Sequence, residues 1–238
     1  MITVNGQYLG NLLKVSQISG RGFLAPQDNI AIYVPGGLGT KFIKSKEEPR
    51  ILKNTISILY DDMTPVRQAI RIIGSILNAE GLLSIEYNDE PGIVYFGKVS
   101  GSTDLDETAI IGKGTLEFEC FNPRPVGLDK TFNMVTGQTI IRNEGAAETY
   151  PVLTVSFSGP TTSFSISDGD KIVKVIRNFV IGDIVKIDFN TRKILHNGVL
   201  SMPLLDLASR WFNLKAGQNT LIVSANSSVV MEYKERWL

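Results

Sequence analysis

Few residues in this chain could do chemistry. Its 238 residues include one histidine, His196, and one cysteine, Cys120. An imidazole base needs a nucleophile on one side and an orienting carboxylate on the other. His196 lies in Leu195-His196-Asn197-Gly198, and the Asn-Gly pair reads as a hairpin tip. Asp188 is the nearest carboxylate before it, and no Gly-x-Ser-x-Gly elbow supplies a nucleophile. His196 is therefore expected to be a polar turn residue. With one Cys and one His the chain has no Cys/His zinc site, no Cys-x-x-Cys pair and no internal disulfide. Cys120 falls on the apolar face of an alternating run and is expected as a small buried hydrophobe.

Other groupings fail for stated reasons. Pro35-Gly36-Gly37-Leu38-Gly39-Thr40-Lys41 looks like a phosphate loop but lacks the Gly-Lys-Ser/Thr ending and a following helix, so it reads as a turn. Asp104-Leu105-Asp106-Glu107 and Ser167-Asp168-Gly169-Asp170 lack the spacing of a calcium loop and read as solvated turns. Glu86, Asp89 and Glu90 could form a glycosidase pair only across a cleft, and Asn88-Asp89-Glu90-Pro91-Gly92 is a turn signature. The Phe and Trp residues fall mainly at core-facing strand positions, which leaves no stacking platform for sugars or bases. No catalytic, cofactor-binding or metal-ligating residue is expected. The chain reads as a non-enzyme that works by shape and contact.

The elements around these residues are mostly strands. In Thr115-Leu116-Glu117-Phe118-Glu119-Cys120-Phe121 the apolar residues alternate with polar ones, which means one face buried and one wet. Val185, Ile187 and Phe189 repeat the pattern, as do Val229, Met231, Tyr233 and Trp237. Asp168-Gly169, Asn197-Gly198 and Ala216-Gly217 supply turns between apolar stretches. One segment changes period. Thr64 reads as an N-cap and Pro65 as the first helical residue. Val66, Ala69, Ile70, Ile73, Ile76 and Leu77 follow at helical spacing, and Gly81 reads as the C′ residue. This predicts one amphipathic helix over 65–80, with Gly74 at its middle allowing close packing. Pro123 and Pro125 end a strand. The predicted fold is mainly β, with two domains: 1–138, α+β with the one helix, and 139–238, a β-sandwich.

Composition bounds the rest. Lys+Arg and Asp+Glu are both 24, so the formal net charge is zero and the basic excess of a phosphate-clamping protein is missing. Apolar residues make up 43%, enough for a real core. No secretory signal is read at the N-terminus and no apolar run approaches the roughly 18 residues of a membrane span. The expectation is a soluble protein made in the cytoplasm.

Several stretches together resemble one family. Leu83-Ser84-Ile85-Glu86-Tyr87-Asn88-Asp89-Glu90-Pro91-Gly92-Ile93-Val94-Tyr95-Phe96-Gly97-Lys98-Val99 precedes Gly112-Lys113-Gly114-Thr115-Leu116-Glu117-Phe118-Glu119-Cys120-Phe121-Asn122-Pro123. Gly20-Arg21-Gly22 and Val34-Pro35-Gly36 come earlier. Later come Tyr150-Pro151-Val152, Gly182-Asp183-Ile184 and Trp211-Phe212-Asn213-Leu214-Lys215-Ala216-Gly217-Gln218-Asn219. In this order they resemble the distal tail proteins (Dit) of siphophages, over nearly the full chain. The resemblance implies a virion protein of the phage tail tip, made in the host cytoplasm. Residues 1–138 would form a homo-hexameric ring, with the tail tube protein on one face and the tail-associated fibre protein on the other. Residues 139–238 would be a galectin-like β-sandwich holding receptor-binding or baseplate proteins. DNA would pass through the ring without specific binding, and neither a cofactor nor a membrane is involved. The galectin His-x-Asn-Pro-Arg strand is absent, so the resemblance carries over no carbohydrate site. The alternative reading is a soluble carbohydrate-binding β-sandwich protein, and a hydrolase with an unrecognised site ranks below it.

Overall fold

The structure, a computed structural model, describes residues 1–59, 66–107, 111–224 and 227–238. These form two compact units, Met1–Val126 with Leu238, and Gly127–Trp237.

In the first unit six strands pair antiparallel in the order Ile2–Val4, Leu83–Tyr87, Val94–Ser100, Ile111–Cys120, Arg50–Leu59, Lys14–Ser19. Ile111–Cys120 pairs with Arg50–Leu59 along its whole length, placing Phe118 opposite Leu52. The alternation read from the sequence holds: Leu116, Phe118 and Cys120 are buried. They share one core with Ile2, Ile85 and Leu52. Asn54 is buried in this core without being orphaned, because its amide donates to the Leu116 carbonyl at 3.2 Å and accepts the Tyr87 hydroxyl at 3.0 Å.

The helix spans Val66–Leu77 and buries Val66, Ala69 and Ile73 on this core. It stops earlier than the predicted 80, and Gly81 takes its left-handed conformation (φ +76°) beyond the helix end. Thr64 and Pro65 lie outside the described residues. Gly74 does not serve close packing, since a Cβ there would meet open space. It lies instead beside a groove between helix and sheet.

Burial has an electrostatic consequence here. It pushes the Cys120 thiol up to about 11 and the Tyr95 phenol up to about 12, and it raises Tyr87 as well. The folded state keeps these groups neutral, whereas the unfolded thiol ionises near its ordinary 9.0. This contribution to stability is therefore complete below about pH 9 and is lost as the pH climbs toward 11. The urea midpoint should fall over that window, and a Cys120→Ala chain, though less stable at pH 8, should decline less steeply. A midpoint that stays level to pH 11 would contradict the assignment.

The second unit is a β-sandwich. One sheet runs Val199–Leu200, Lys193–His196, Ile184–Asp188, Val152–Phe157, Ser227–Arg236. The other runs Gly137–Asn143, Gly217–Val223, Thr161–Ser167, Ile172–Phe179. Both send alternate side chains into one core, including Val185, Ile187, Val229 and Met231 from the first sheet and Phe164, Val175 and Leu221 from the second. Phe157 of the first sheet stacks on Phe179 of the second at 4.2 Å, with the rings 7° from parallel. The predicted turns have the required geometry, Asn197 and Gly198 both being left-handed (φ +48° and +82°).

Candidate functional site

The reactive residues do not converge. Cys120 is buried. His196 ends the strand Lys193–His196 just before the Asn197-Gly198 turn. The carboxylate beside it is Asp183, not Asp188: His196 Nε2 stands 3.2 Å from Asp183 Oδ1. The Val180 N–H and the Asn197 side-chain amide donate to Asp183, and with His196 they hold its pKa below the ordinary carboxylate value. Asp188 instead accepts the Asn190 and Thr191 N–H groups and the Thr191 hydroxyl, closing its own turn. The Asp183–His196–Asn197 knot thus fastens two turns together.

The acidic loops behave similarly. Asp168 accepts the Asp170 and Lys171 N–H groups, and Ser102 caps Asp104. Among the described residues no group of three His, Cys, Asp or Glu side chains could hold a metal ion. Asp89 and Glu90 face a residue the sequence reading did not connect with them. Arg21 binds Asp89 at 2.6 Å and Glu90 at 3.2 Å, and lies over the Tyr87 ring at 4.4 Å. This ion pairing lowers the Asp89 pKa. Arg21 thereby ties the 20–22 segment to the turn after Leu83–Tyr87.

What the first unit presents outward is a ribbon. Gln27–Tyr33 and Thr40–Glu47 form a separate two-stranded sheet, and Pro35-Gly36-Gly37-Leu38-Gly39 is its turn, with Gly36 and Gly39 left-handed. The turn reading is thus correct, and the strands flanking it are the unexpected part. Ile32, Tyr33, Val34, Phe42 and Ile43 are all exposed, and Leu38 at the tip is fully so. Tyr33 and Phe42 share one face, and Ile32 lies on the other. A ribbon of two strands cannot bury either face by itself. Between Asn29 and Ser45 its only charged residues are Lys41 and Lys44. Its base is held firmly: Arg124 makes a forked pair with Glu47 at 2.7 and 3.0 Å, and the Glu48 N–H donates to Pro26 O at 2.8 Å. An anchored stem with an apolar tip is the form of an assembly element.

A second apolar surface lies elsewhere in this unit. The helix and the sheet leave an apolar groove of about 290 Å³, lined by Ile56, Ile70, Ile73, Leu77, Leu105 and Leu116, with Gly74 at its edge. The second unit has its own apolar patch: Val180, Ile181, Ile184, Val199 and Leu200 are exposed around the turns that the Asp183–His196–Asn197 knot fastens. Val199–Leu200 is also an edge strand. The aromatic residues are therefore divided. Phe118, Phe157, Phe164, Phe179, Phe189 and Phe212 are buried, but Phe23, Phe42 and Phe121 are exposed.

Known proteins share both halves of this architecture. Residues 9–120 match a family of phage tail proteins with a RIFT-related domain, and residues 144–237 match the C-terminal domain of siphovirus-type tail components. The distal tail protein of Bacillus phage SPP1 is 28% identical over 243 residues, covering 98% of this chain and 94% of that protein. The crystal structure of SPP1 Dit, described as a paradigm of the hub of the adsorption apparatus in phages infecting Gram-positive hosts, superposes with a TM-score of 0.88. The two are 24% identical and cover 100% and 98% of each other. A chain of the phage p2 baseplate superposes more loosely, with a TM-score of 0.50 at 9% identity over 95% of this chain and 91% of that one.

Proposed function

We propose that this chain is a member of the siphovirus distal tail protein family, which it resembles over nearly its whole length, that it is a structural component of a phage tail tip, and that it closes with copies of itself into a hexameric hub. The anchored apolar ribbon carries this reading. A closed ring needs a heterologous interface, in which two different patches of one protomer meet. The ribbon tip at Leu38 supplies one patch, and the groove beside Gly74 supplies the other. The ring-forming part is the first unit, with the tail tube on one face and the tail-associated fibre protein on the other. Residues 139–238 form a galectin-like sandwich, and their Val180–Leu200 patch offers baseplate or receptor-binding proteins a docking surface.

The charge balance suits a conduit. With 24 basic and 24 acidic side chains, the chain has no excess of cations to hold passing DNA by its phosphates. No helix among the described residues is long and apolar enough to cross a membrane. The role is played in the virion, and it requires no catalytic step. Sedimentation of the purified chain over rising concentration tests the reading: a species of six times the 26.2 kDa protomer mass is expected. A monomer at every concentration would oppose it.

A further inference from the structure

Two hairpin loops of the second unit are built on the same plan. The loop between Thr161–Ser167 and Ile172–Phe179 opens with Asp168, whose carboxylate accepts the Asp170 and Lys171 N–H groups at 3.0 and 2.7 Å. The loop between Ile184–Asp188 and Lys193–His196 follows Asp188, whose carboxylate accepts the Asn190 and Thr191 N–H groups at 2.8 and 3.1 Å. Each leading carboxylate is thus engaged in fixing its own loop. The last residue of each loop is a cation, Lys171 in one and Arg192 in the other. The loops belong to different sheets, yet both cations line one cavity of about 430 Å³.

The lining of this cavity is polar. Asn190 and Asn213 stand beside the two cations, while Phe189 and Phe212 are buried. Among the described residues no carboxylate lines the cavity, and neither Lys171 nor Arg192 is in an ion pair. Glu148 accepts the Asn213 amide at 3.0 Å, so this nearby carboxylate is engaged as well. Arg192 breaks a local rule to be where it is. It is left-handed (φ +54°) at the end of a hairpin loop, where glycine or asparagine is the usual choice. A cation kept in that position strains the backbone and serves a contact that the fold itself does not make.

From this geometry we infer that the cavity binds a phosphate group. A phosphate monoester carries about −1.5 to −2 charges at neutral pH and three strong acceptor oxygens. Two unpaired cations match that charge, whereas a carboxylate would need only one of them. Arg192 can offer two parallel N–H groups, and Lys171 acts as a point charge. The Asn190 and Asn213 amides can each donate to a remaining oxygen. The cavity exceeds the volume of a phosphate alone, so the polar remainder of an organic phosphate fits beside it. No residue of the ribbon or of the groove takes part, so the site stands independently of the assembly reading.

Calorimetric titration of the full chain at fixed ionic strength tests it with inorganic phosphate, methyl phosphate and acetate. Saturable single-site binding of inorganic phosphate or methyl phosphate is expected, with a dissociation constant on the order of 1 mM. Tighter binding of methyl phosphate identifies an organic phosphate as the ligand, and tighter binding of inorganic phosphate identifies the free ion. Acetate should bind at least about tenfold more weakly. Arg192→Gly removes the cation from a backbone that glycine suits, so it should keep its melting temperature and weaken phosphate binding about tenfold. Lys171→Gln, on the other loop, should weaken it by a similar factor. No saturable binding of either phosphate would overturn the inference, as would equal binding of acetate. So would undiminished affinity in either variant, which would place the bound phosphate elsewhere on the surface.

Discussion

The Leu38→Asp chain is expected to stay monomeric at concentrations where the unaltered chain forms rings, with an unchanged thermal midpoint. The two halves of that result come from one observation. Leu38 is fully exposed at the tip of the ribbon, so the fold loses nothing when it becomes polar. In the proposed ring the same side chain is buried against a neighbour. Losing a buried Leu costs about 1.5–3 kcal/mol. A carboxylate forced into an apolar groove costs more still. Because closure repeats the contact at each interface, the loss multiplies round the ring. Gly74→Leu approaches the same contact from the other side. The added side chain enters open space at the edge of the groove, and replacing a mid-helix glycine favours the helix by roughly 1 kcal/mol. That chain should therefore be more stable and yet assemble poorly. Stabilisation together with lost assembly is hard to explain by damage to the fold. Normal assembly of both variants would place the ring contacts elsewhere.

A second large effect is expected at Arg50, which opens the strand Arg50–Leu59 and is 1% exposed. Its Nε donates to the Pro123 carbonyl at 2.9 Å, and its Nη1 to the Gly20 and Gly22 carbonyls at 3.2 and 3.4 Å. One side chain thus satisfies the backbone of two irregular segments at once. Gly20 could not be another residue, because a Cβ there would run into the Ile51 carbonyl oxygen. Arg50→Met keeps the bulk and removes every donor, stranding these carbonyls. Each such buried polar group costs about 1–3 kcal/mol, so a total on the order of 4 kcal/mol is expected. In a chain of this size that lowers the melting temperature by roughly 10 °C. Arg50→Lys should fall between the two, since an ammonium cannot reproduce the fork. The damage reaches function through position. The 20–22 segment carries Arg21, which clamps Asp89 and Glu90, and leads directly to the ribbon. Loss of less than about 1 kcal/mol in Arg50→Met would mean that water replaces the lost donors.

The sequence made some of this architecture legible and hid the rest, for physical reasons. Strands with one wet face announce themselves by alternation, as Leu116, Phe118 and Cys120 did, because period two and burial are the same fact seen twice. The helix was readable from Val66 to Leu77 because its apolar residues follow the turn of a helix. Its C-terminal end was misplaced, since Gly81 marks a turn beyond the helix and not its cap. The ribbon was hidden by the same logic that revealed the strands. Tyr33, Phe42 and Leu38 look like core residues, and only tertiary structure shows that they are exposed. Arg50 was invisible, because an arginine opening a strand reads as surface and its three carbonyl partners come from distant segments. Likewise Asp183 reaches His196 across two turns, where proximity in sequence favoured Asp188. In each case the hidden feature depends on long-range contact or on what is left uncovered.

The most direct test of the account is an image. Negative-stain electron microscopy of the purified full chain should give end-on class averages of a closed ring with six-fold symmetry, and these averages should vanish in the Leu38→Asp chain. Single small particles at every concentration, or open chains that never close, would contradict the central claim that mutual docking of ribbon and groove builds a hub.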